Sequence, residues 1–505
     1  MIKYVDTRAL LPSPLSFAEV ILQGLAPGGG LFVPERLPKL TRADLLAMAD
    51  LPYWQRASQV FKRLELGLPE ATLDDLARQA YGANFDHPEI APVASVGPGR
   101  FVLELWHGPT LAFKDMALQC MPLFFSQALE QARSEGREEC DFLVLVATSG
   151  DTGVAALCGF ADQPHVKIAV CYPSGGVSPL QERQMITQPG DNLVVFAVEG
   201  DFDTCQRAVK TVFADAAFAQ ELADRHRLKL TSANSINWGR LMPQIVYYIS
   251  AYVDLVARGH CAPGEPIDFC VPTGNFGNIL AAYYAKRMGL PVNRLLCASN
   301  ANKVLADFLA TGTYDISHRT LVKTPSPSMD ILISSNLERL LFETTGDGVR
   351  TRTWMRELAT RGYFQVDFST HRLLQQEMLG DWVDNQTCLD TIHRVYQERG
   401  YLIDPHTAVA WEVADRHSEN VPMVVVSTAH WSKFPADVVR ALRRLAPGTP
   451  LQSDDFQLLE EVTRLAPGTT VPQTMKTVLA RSVRFSEQVA GSGGALEQAL
   501  RNWLS

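Results

Sequence analysis

The feature that most constrains the fold is an alternation of short β-branched runs with amphipathic stretches that begins at Phe101. Helical patterns, such as Asp203–Leu222 and Ile236–Arg258, lie between these runs. Strands that alternate with helices predict an α/β fold with largely parallel sheets. Because the alternation runs in two blocks, 100–235 and 265–430, we expect two α/β lobes with a cleft between them. Buried strands are predicted at 101–105, 142–147, 166–172, 193–198, 267–271, 294–298 and 423–428.

The segments outside these blocks have a different character. A chain of 505 residues suggests two to four domains. Residues 1–95 have helical character interrupted by Pro and Gly, and residues 441–505 are mostly helical with a polar surface. The sequence therefore predicts a helical and irregular N-terminal domain (1–95), a first lobe (96–240), a second lobe (241–440) and a C-terminal helical segment (441–505).

Charge and cysteine usage narrow the class of protein. Lys and Arg number 46 against 55 Asp and Glu, and the net charge of −9 gives no reason to expect binding to nucleic acid or to an anionic membrane. The nine cysteines form no CxxC pair, and several lie in apolar runs, so we expect reduced, buried thiols and no metal site. The N-terminus lacks the apolar core of a signal peptide, and no apolar run approaches the length of a spanning helix. These features predict a soluble, cytoplasmic protein.

Two loops that follow predicted strands are suited to anions. Ligands of open α/β folds bind where strands end and helices begin. The loop Thr273–Asn278 has small, Gly-spaced residues that let backbone N–H groups converge on an anion at a helix N-terminus, and it matches no dinucleotide or P-loop motif. A phosphate monoester fits this loop, and the alternative is an ordinary strand–helix turn. The loop Thr148–Gly153 could hold a carboxylate or phosphate, and the alternative is helix capping.

Lys114 is the candidate nucleophile. It lies in the apolar, turn-rich segment HGPTLAFKD, at the apparent start of a helix. Partial burial and the positive end of a helix both lower the pKa of a lysine, which favours the neutral amine that a Schiff base requires. The alternative is a surface lysine whose head group reaches solvent.

A fourth feature is the strand end at Ser427, Thr428 and His430, where a hydroxyl could contact a heterocycle nitrogen. Considered alone, this pattern indicates a strand end whose polar groups are satisfied within the chain. Together with the lysine and two anion loops, it suggests pyridoxal phosphate. The lysine would bind the cofactor, the loop at 273–278 its phosphate, and the loop at 148–153 a substrate carboxylate.

Ordered motifs along most of the chain then resemble those of a known family. The sequence resembles the threonine synthases with a longer N-terminus, within the fold-type II pyridoxal-phosphate enzymes. The resemblance implies two doubly wound α/β lobes of the tryptophan synthase β-like architecture, and it does not extend to the last 60 or so residues. The motifs are KYVDTR (3–8), LQGLAPGGGLFVPE (22–35), HGPTLAFKD (107–115), ATSGDTG (147–153), NSINWGR (234–240), PTGNFGN (272–278), SPSMDILISSNLERLL (326–341), DPHTAVA (404–410) and STAH (427–430).

The resemblance also implies a reaction and residue roles. O-phospho-L-homoserine and water would give L-threonine and phosphate by β,γ-elimination and replacement, with pyridoxal phosphate as cofactor. Lys114 would hold the cofactor and move protons, and Thr428 would face the pyridine nitrogen. Asp151 stands where related enzymes have an Asn that contacts the cofactor's 3′-oxygen, and an acid there could instead set the protonation state of the Schiff base. The cofactor phosphate would be bound by Gly274, Asn275, Phe276, Gly277 and Asn278. Substrate contacts are expected from Thr148, Ser149, Thr152, Asn237 and Arg240, with Ser235 and Lys433 as further candidates for the leaving phosphate.

Two alternatives and one departure stay open at this point. The first alternative is a related lyase that acts on phosphohomoserine and releases 2-oxobutanoate instead of threonine. The second is a non-catalytic binding protein, and the presence of Lys114 argues against it, because loss of that lysine is the simplest way to lose catalysis. The family pattern leads us to expect Pro-Ala after STAH, whereas this chain has Trp431-Ser432, which could reshape the pocket wall or pack outward. Oligomeric state, monomer or homodimer, is not readable from the sequence.

Overall fold

The computed structural model describes residues 1–505 and contains fifteen strands. The seven sequence-predicted strands are confirmed, each within two residues of its predicted ends. The strands are β1 (Tyr4–Asp6), β2 (Phe32–Pro34), β3 (Val93–Gly97), β4 (Arg100–Glu104), β5 (Asp141–Ala147), β6 (Val166–Pro173), β7 (Leu193–Val198), β8 (Leu228–Thr231), β9 (Ile267–Pro272), β10 (Val292–Ser299), β11 (Thr313–Asp315), β12 (Tyr363–Gln365), β13 (Met378–Trp382), β14 (Met423–Ser427) and β15 (Gln488–Val489).

Helices connect and cover these strands. The α-helices are α1 (Phe17–Gln23), α2 (Arg42–Leu46), α3 (Tyr53–Arg63), α4 (Glu70–Ala80), α5 (Asp115–Leu118), α6 (Met121–Ser134), α7 (Asp151–Phe160), α8 (Pro179–Ile186), α9 (Phe202–Ala214), α10 (Ala216–His226), α11 (Trp238–Leu241), α12 (Gln244–Ala257), α13 (Gly277–Met288), α14 (Val304–Thr311), α15 (Leu337–Thr345), α16 (Gly348–Arg361), α17 (Phe368–Glu377), α18 (Asn385–Arg399), α19 (Pro405–Arg416), α20 (Pro435–Leu442), α21 (Asp455–Leu465), α22 (Gln473–Ala480) and α23 (Gly493–Leu504). Short 3₁₀ helices lie at Pro27–Gly29, Pro327–Met329 and Trp431–Lys433.

Two large sheets form the two lobes. The six-stranded sheet has the order β13-β10-β9-β14-β4-β3, and only β3 runs antiparallel to its neighbour. The five-stranded sheet has the order β15-β7-β6-β5-β8 and is parallel throughout. Two largely parallel sheets, each in its own lobe, agree with the two α/β lobes that the resemblance implies.

The sheets do not follow the two blocks of the sequence alternation. Strand β4 opens the first block but pairs with β14, so it belongs to the six-stranded sheet. The expectation that block 100–235 forms one lobe was therefore wrong for this strand. Which strands pair depends on how distant segments pack together in the folded chain, and the local sequence pattern does not show this. The C-terminal segment returns to the other lobe, where β15 extends the five-stranded sheet beside β7. The four-domain division at 95, 240 and 440 stays a prediction.

Two long helical patterns are each split in the structure. Asp203–Leu222 becomes α9 and α10, because Asp215 accepts a hydrogen bond from the Phe218 N–H as the N-cap of the second helix. Ile236–Arg258 becomes α11 and α12, and Pro243, which has no N–H to donate, stands between them.

The N-terminal segment packs on both lobes through one continuous apolar core. Phe17 of α1 meets Phe124 of α6 edge to face at 5.5 Å, and Tyr4 of β1 meets Trp238 of α11 at 5.7 Å. No helix in the structure combines the length and the apolar character that a bilayer crossing requires. The core thus fixes the carboxyl ends of β4, β5, β9 and β14 around one cleft, where the candidate residues lie.

Candidate active site

Lys114 lies buried between β4 and α5. Its side chain is inside the cleft, with 8% of the residue's surface exposed, and its Nζ lies 3.3 Å from Asp151 Oδ2. Nζ also lies 4.8 Å from the centre of the Phe113 ring. Burial lowers the pKa of Lys114, Asp151 opposes this shift, and the charges of Arg240 and Lys433 lower it further. The net direction favours a neutral amine at this position.

Asp151 is the centre of a buried polar network at the start of α7. Its Oδ1 receives Lys433 Nζ at 2.7 Å and Gln181 Nε2 at 2.8 Å, and its Oδ2 receives Ser328 Oγ at 3.0 Å. Burial alone would raise the pKa of Asp151, but Lys433 and Lys114 hold it well below its usual range. The carboxylate is therefore ionised, and it supplies the negative charge between two buried lysines.

The glycine-rich loop delivers the N-terminus of α13 to the same cleft. Phe276 is the N-cap residue and adopts φ of 67°, a left-handed conformation that is costly for a non-glycine residue. A Cβ on Gly274 would lie 3.1 Å from Met329 Cα and from Ser328 O, so a side chain here would crowd the backbone of the facing segment. The first N–H groups of a helix have no partner within the helix, and the positive end of the helix dipole favours an anion there.

Two buried donors beside this loop have no acceptor in the chain. The Oδ1 of Asn278 accepts hydrogen bonds from Tyr247 and Tyr248 at 2.5 and 2.6 Å, which leaves its Nδ2 unpartnered. The Nε of Arg240 is also buried without a partner, and the guanidinium makes one bond, to Ala233 O at 3.0 Å. Burial lowers the pKa of Arg240 to about 10, and no carboxylate pairs with it. Buried donors without acceptors are costly, and an anion would satisfy both.

These groups surround one cavity of about 620 Å³, which we call the cofactor cavity. Thr428 lies in its wall at the end of β14, and its hydroxyl makes no hydrogen bond within the chain. The lining residues are Phe113, Lys114, Asp151, Thr152, Ser235, Arg240, Gln244, Pro272, Thr273, Gly274, Asn275, Phe276, Gly277, Asn278, Ser328, Met329, His406 and Thr428. A lysine, an anion-binding helix terminus and a free hydroxyl in one cavity fit pyridoxal phosphate.

A second cavity of about 840 Å³, the outer cavity, adjoins the first. Thr152, Ser235 and Asn275 line both cavities. Ser149 lines the outer cavity alone, and its hydroxyl makes no hydrogen bond within the chain. The loop after β5 therefore presents hydroxyl groups to the space next to the cofactor cavity.

Three residues from the sequence prediction have other positions or partners. The hydroxyl of Thr148, although this residue lines the outer cavity, bonds within its own loop to Gly150 and Gly153. Asn237 lines neither cavity, because it caps α11 and its amide donates to Ile21 O at 2.9 Å. Lys433 is fully buried and pairs with Asp151, so it cannot reach a leaving phosphate in this conformation.

The departure at Trp431-Ser432 does not alter the cavity wall. Trp431 is buried in an apolar cluster with Leu111, Leu180 and Val438 and lines neither cavity. Ser432 bonds to Nδ1 of His430 through both its hydroxyl and its N–H, at 2.8 and 3.2 Å.

Ser328 and His406 are among the residues of the cofactor cavity that sequence reasoning missed. Ser328 donates to Asp151, and the Nε2 of His406 accepts from the N–H of Ser328 at 3.3 Å. The opposite nitrogen of His406 lies 2.6 Å from Asp404 Oδ2, which fixes the ring. The sequence could have indicated these two residues, because Ser328 lies in the motif SPSMD and His406 lies in the motif DPHTA, and both motifs resemble the family.

Protein-family models match three parts of the chain, the last two of which overlap. The model described as "Threonine synthase N terminus" matches residues 3–81, and "Pyridoxal-phosphate dependent enzyme" matches residues 94–428. The model "Threonine synthase, C-terminal" matches residues 407–487. The similarity thus extends beyond STAH into the C-terminal segment, where the sequence analysis found no motif.

Similar proteins include two threonine synthases of nearly the same length. The Pseudomonas aeruginosa threonine synthase is 41% identical over 466 residues, covering 91% of this chain and 94% of that protein. The Saccharomyces cerevisiae threonine synthase is 37% identical over 468 residues, covering 87% and 89%. The Homo sapiens threonine synthase-like 1 protein is 43% identical over 457 residues, but the match covers 87% of this chain and 61% of that protein. The chain thus spans about three fifths of the length of these longer relatives.

Solved structures agree with these relationships. The crystal structure of threonine synthase from Brucella melitensis with bound pyridoxal phosphate has a TM-score of 0.86 and 36% identity, over 100% of this chain and 99% of that chain. The yeast threonine synthase has a TM-score of 0.85 and 33% identity, over 99% and 98%. The fold, the order of the motifs and the matched models agree, and this chain belongs to the threonine synthase family of pyridoxal-phosphate-dependent enzymes.

Proposed function

We propose that this chain is a threonine synthase that converts O-phospho-L-homoserine and water into L-threonine and phosphate, with pyridoxal phosphate as its cofactor. The observation that carries the proposal is the position of Lys114, buried 3.3 Å from Asp151 in a cavity that also contains the N-terminus of α13. The named threonine synthases, which share 37–41% identity with nearly the whole chain, support it.

The cofactor cavity offers a partner to each part of the cofactor. Lys114 would hold the aldehyde carbon, Thr428 would face the ring nitrogen, and Asp151 would lie on the side of the 3′-oxygen. The phosphate would be bound by Asn278 Nδ2 and by the backbone of the loop Gly274, Asn275, Phe276, Gly277 and Asn278. We assign Arg240 to this phosphate as well, and not to the leaving phosphate, because it lines the cofactor cavity and not the outer cavity.

The chemistry that the cofactor supplies when bound is an electron sink at the α-carbon of the substrate. The residues of the chain position the substrate and move its protons. Lys114 Nζ, with its lowered pKa, would accept the α-proton and then transfer protons at the β-, γ- and α-carbons. Ser149 and Thr152, with the N–H groups of their loop, would hold the α-carboxylate at the start of α7.

Product analysis tests the proposed reaction. Purified protein loaded with pyridoxal phosphate is incubated with O-phospho-L-homoserine, and phosphate, threonine and 2-oxobutanoate are quantified. Equal amounts of phosphate and threonine are expected. Phosphate with 2-oxobutanoate and no threonine would identify a phospho-lyase, and the absence of phosphate release would overturn the proposed substrate.

We also propose that the protein works in the reducing environment of the cytoplasm. All nine cysteines are unpaired thiols, and seven of them are buried. Unpaired thiols persist where glutathione keeps them reduced. Cell fractionation that recovered the protein from an oxidising compartment would overturn this placement.

A further inference from the structure

The two oxygens of the Asp151 carboxylate have different neighbours. Oδ1 pairs with Lys433 at 2.7 Å, whereas Oδ2 accepts from Ser328 Oγ at 3.0 Å and lies 3.3 Å from Lys114 Nζ. The other charges that act on Lys114 are those of Arg240 and Lys433. Ser328 and Lys114 therefore share one carboxylate oxygen. A hydrogen bond to that oxygen stabilises the carboxylate and weakens its attraction for a neighbouring cation.

The main chain of Ser328 has one hydrogen-bond acceptor. Ser328 is the second residue of the 3₁₀ helix Pro327–Met329, and the first N–H groups of a helix have no acceptor within the helix. Its N–H donates instead to Nε2 of His406, at 3.3 Å. On its other side the segment packs against Gly274, where an added Cβ would lie 3.1 Å from the Ser328 carbonyl oxygen. Ser328 is thus held between the anion loop and the ring of His406.

The ring of His406 is itself fixed by the start of α19. His406 is the second residue of this helix and is 2% exposed. Its Nδ1 lies 2.6 Å from Oδ2 of Asp404, the N-cap residue, and its backbone N–H donates to the same oxygen at 3.0 Å. Because a carboxylate only accepts, the ring proton lies on Nδ1, and Nε2 is left as the acceptor that the N–H of Ser328 requires. The ring also packs against Phe434, with 4.9 Å between ring centres.

We propose that His406 is a positioning residue of the active site, which acts through Ser328 on the Asp151 oxygen that faces Lys114. This inference rests on the proposed function and adds to it a residue that controls the charge around Lys114 through two others. The chain of contacts runs from α19 through the 3₁₀ helix to the start of α7, so three separate elements determine the surroundings of one amine.

Two substitutions of His406 separate the roles of its two nitrogens. The amide nitrogen of asparagine stands near the position of Nδ1, so His406→Asn keeps a donor for Asp404 and loses the acceptor for Ser328. The amide oxygen of glutamine stands near the position of Nε2, so His406→Gln keeps that acceptor. Ser328→Ala removes the hydroxyl alone. The matched control is His417→Asn, because His417 lies at the opposite end of α19 and pairs there with Asp381 at 3.0 Å.

The absorbance of the bound cofactor, recorded over a series of pH values without substrate, reports protonation of the nitrogen that Lys114 contributes. Without the Ser328 hydrogen bond, the carboxylate favours the charged form of that nitrogen more strongly. The midpoint should therefore rise by about 0.5–1 pH unit in His406→Asn and in Ser328→Ala, the equivalent of one hydrogen bond. His406→Gln and His417→Asn should stay within about 0.2 pH unit of the wild type.

The double variant His406→Asn/Ser328→Ala tests whether the two residues act together. Its midpoint should equal that of either single variant, because each substitution breaks the same chain of contacts. A double variant whose shift is the sum of the two single shifts would overturn the proposal. Spectra of His406→Asn that coincide with those of the wild type at every pH, or an equal shift in His406→Gln, would also overturn it. If His406→Asn does not bind the cofactor, an unchanged midpoint in Ser328→Ala has the same meaning.

Turnover separates this inference from the proposed function. If the wild type makes threonine and the spectra of His406→Asn and Ser328→Ala coincide with its own, the positioning role is wrong and the function stands. If the wild type releases no phosphate from O-phospho-L-homoserine but both variants show the shifted midpoint, the function is wrong and the positioning role stands.

Discussion

The carboxylate of Asp151 joins two lysines from distant parts of the chain: Oδ2 lies 3.3 Å from Lys114 Nζ, and Oδ1 lies 2.7 Å from Lys433 Nζ. All three residues are buried. The pair with Lys433 is the shorter contact, so Asp151 is held mainly by a lysine that does not reach the cofactor cavity. Lys114 keeps a weaker contact and a lowered pKa, which leaves its amine available for chemistry.

This relationship predicts the effect of Asp151→Asn on stability. The variant removes the carboxylate that pairs with the buried Lys433 at 2.7 Å, so the free energy of unfolding should fall by about 3–5 kcal/mol. Urea denaturation measures the loss, and Asp203→Asn, an exposed residue without an ion pair, is the control. The double variant Asp151→Asn/Lys433→Met should recover part of the loss, because it removes the unpaired charge as well. A loss below about 1 kcal/mol in the single variant, the size of an exposed pair, would contradict the account.

Arg240→Gln tests the assignment of this residue to the cofactor phosphate. The unpartnered Nε and the missing counter-charge predict that binding of pyridoxal phosphate weakens by about 10- to 100-fold, the effect of losing a charge-assisted contact. Binding of pyridoxal, which has no phosphate, should be unchanged. Both affinities are read from the absorbance of the bound ligand, and an equal loss for pyridoxal would mean that Arg240 acts on the structure of the site instead.

The strands could be predicted because buried parallel strands are continuous apolar runs, as at Leu193–Val198. Their assignment to sheets could not, because β4 pairs with β14 across more than 300 residues of sequence and no local pattern records that pairing. The two-residue strand β15 is too short to leave a sequence signal.

The same distinction holds for the candidate site. Lys114 and the two loops follow predicted strands, and ligand-binding residues of α/β folds can be predicted from that position in the sequence. The structure places them around one cleft. The partners of Lys433 and Asn237, which are Asp151 and the carbonyl of Ile21, could not be predicted, because they come from distant segments of the chain.

Gly274→Ala should damage the anion loop. The added Cβ would lie 3.1 Å from Met329 Cα and Ser328 O, both backbone atoms, which cannot give way as the end of a flexible side chain can. We expect a loss of about 1–3 kcal/mol in the free energy of unfolding, the usual cost of overpacking, together with weaker cofactor binding. Gly494→Ala is the control, because its Cβ meets nothing within 4 Å. Equal stability of the two variants would show that the loop has room for a side chain.

His107 gives the structure a pH-dependent contribution to stability. Burial would lower the pKa of His107, but hydrogen bonds to Asp86 and Glu104, at 2.6 and 2.8 Å, outweigh it and raise the pKa. Because the pKa of His107 is higher in the folded state than in the unfolded state, protonation of His107 stabilises the fold. This contribution is complete at pH values below the unfolded pKa of about 6.5, and it is lost as the pH rises through the folded pKa.

The corresponding test compares His107→Gln with the wild type at several pH values. The variant should lose about 1–3 kcal/mol at pH 6, the range for hydrogen bonds to charged groups, and the difference should shrink above neutral pH. Thermal unfolding midpoints follow the trend, and His165→Gln, in an exposed pair with Asp141, should show little effect. A difference between wild type and His107→Gln that grows with pH would have the wrong sign.

The most direct test of the central claim is a paired assay of wild type and Lys114→Ala with O-phospho-L-homoserine, both supplied with pyridoxal phosphate. The account predicts that the wild type releases phosphate and forms threonine in equal amounts. In Lys114→Ala both rates should fall together by at least about 10³-fold, as expected for loss of the group that moves the protons. Threonine formation by Lys114→Ala at a rate near that of the wild type would contradict the account.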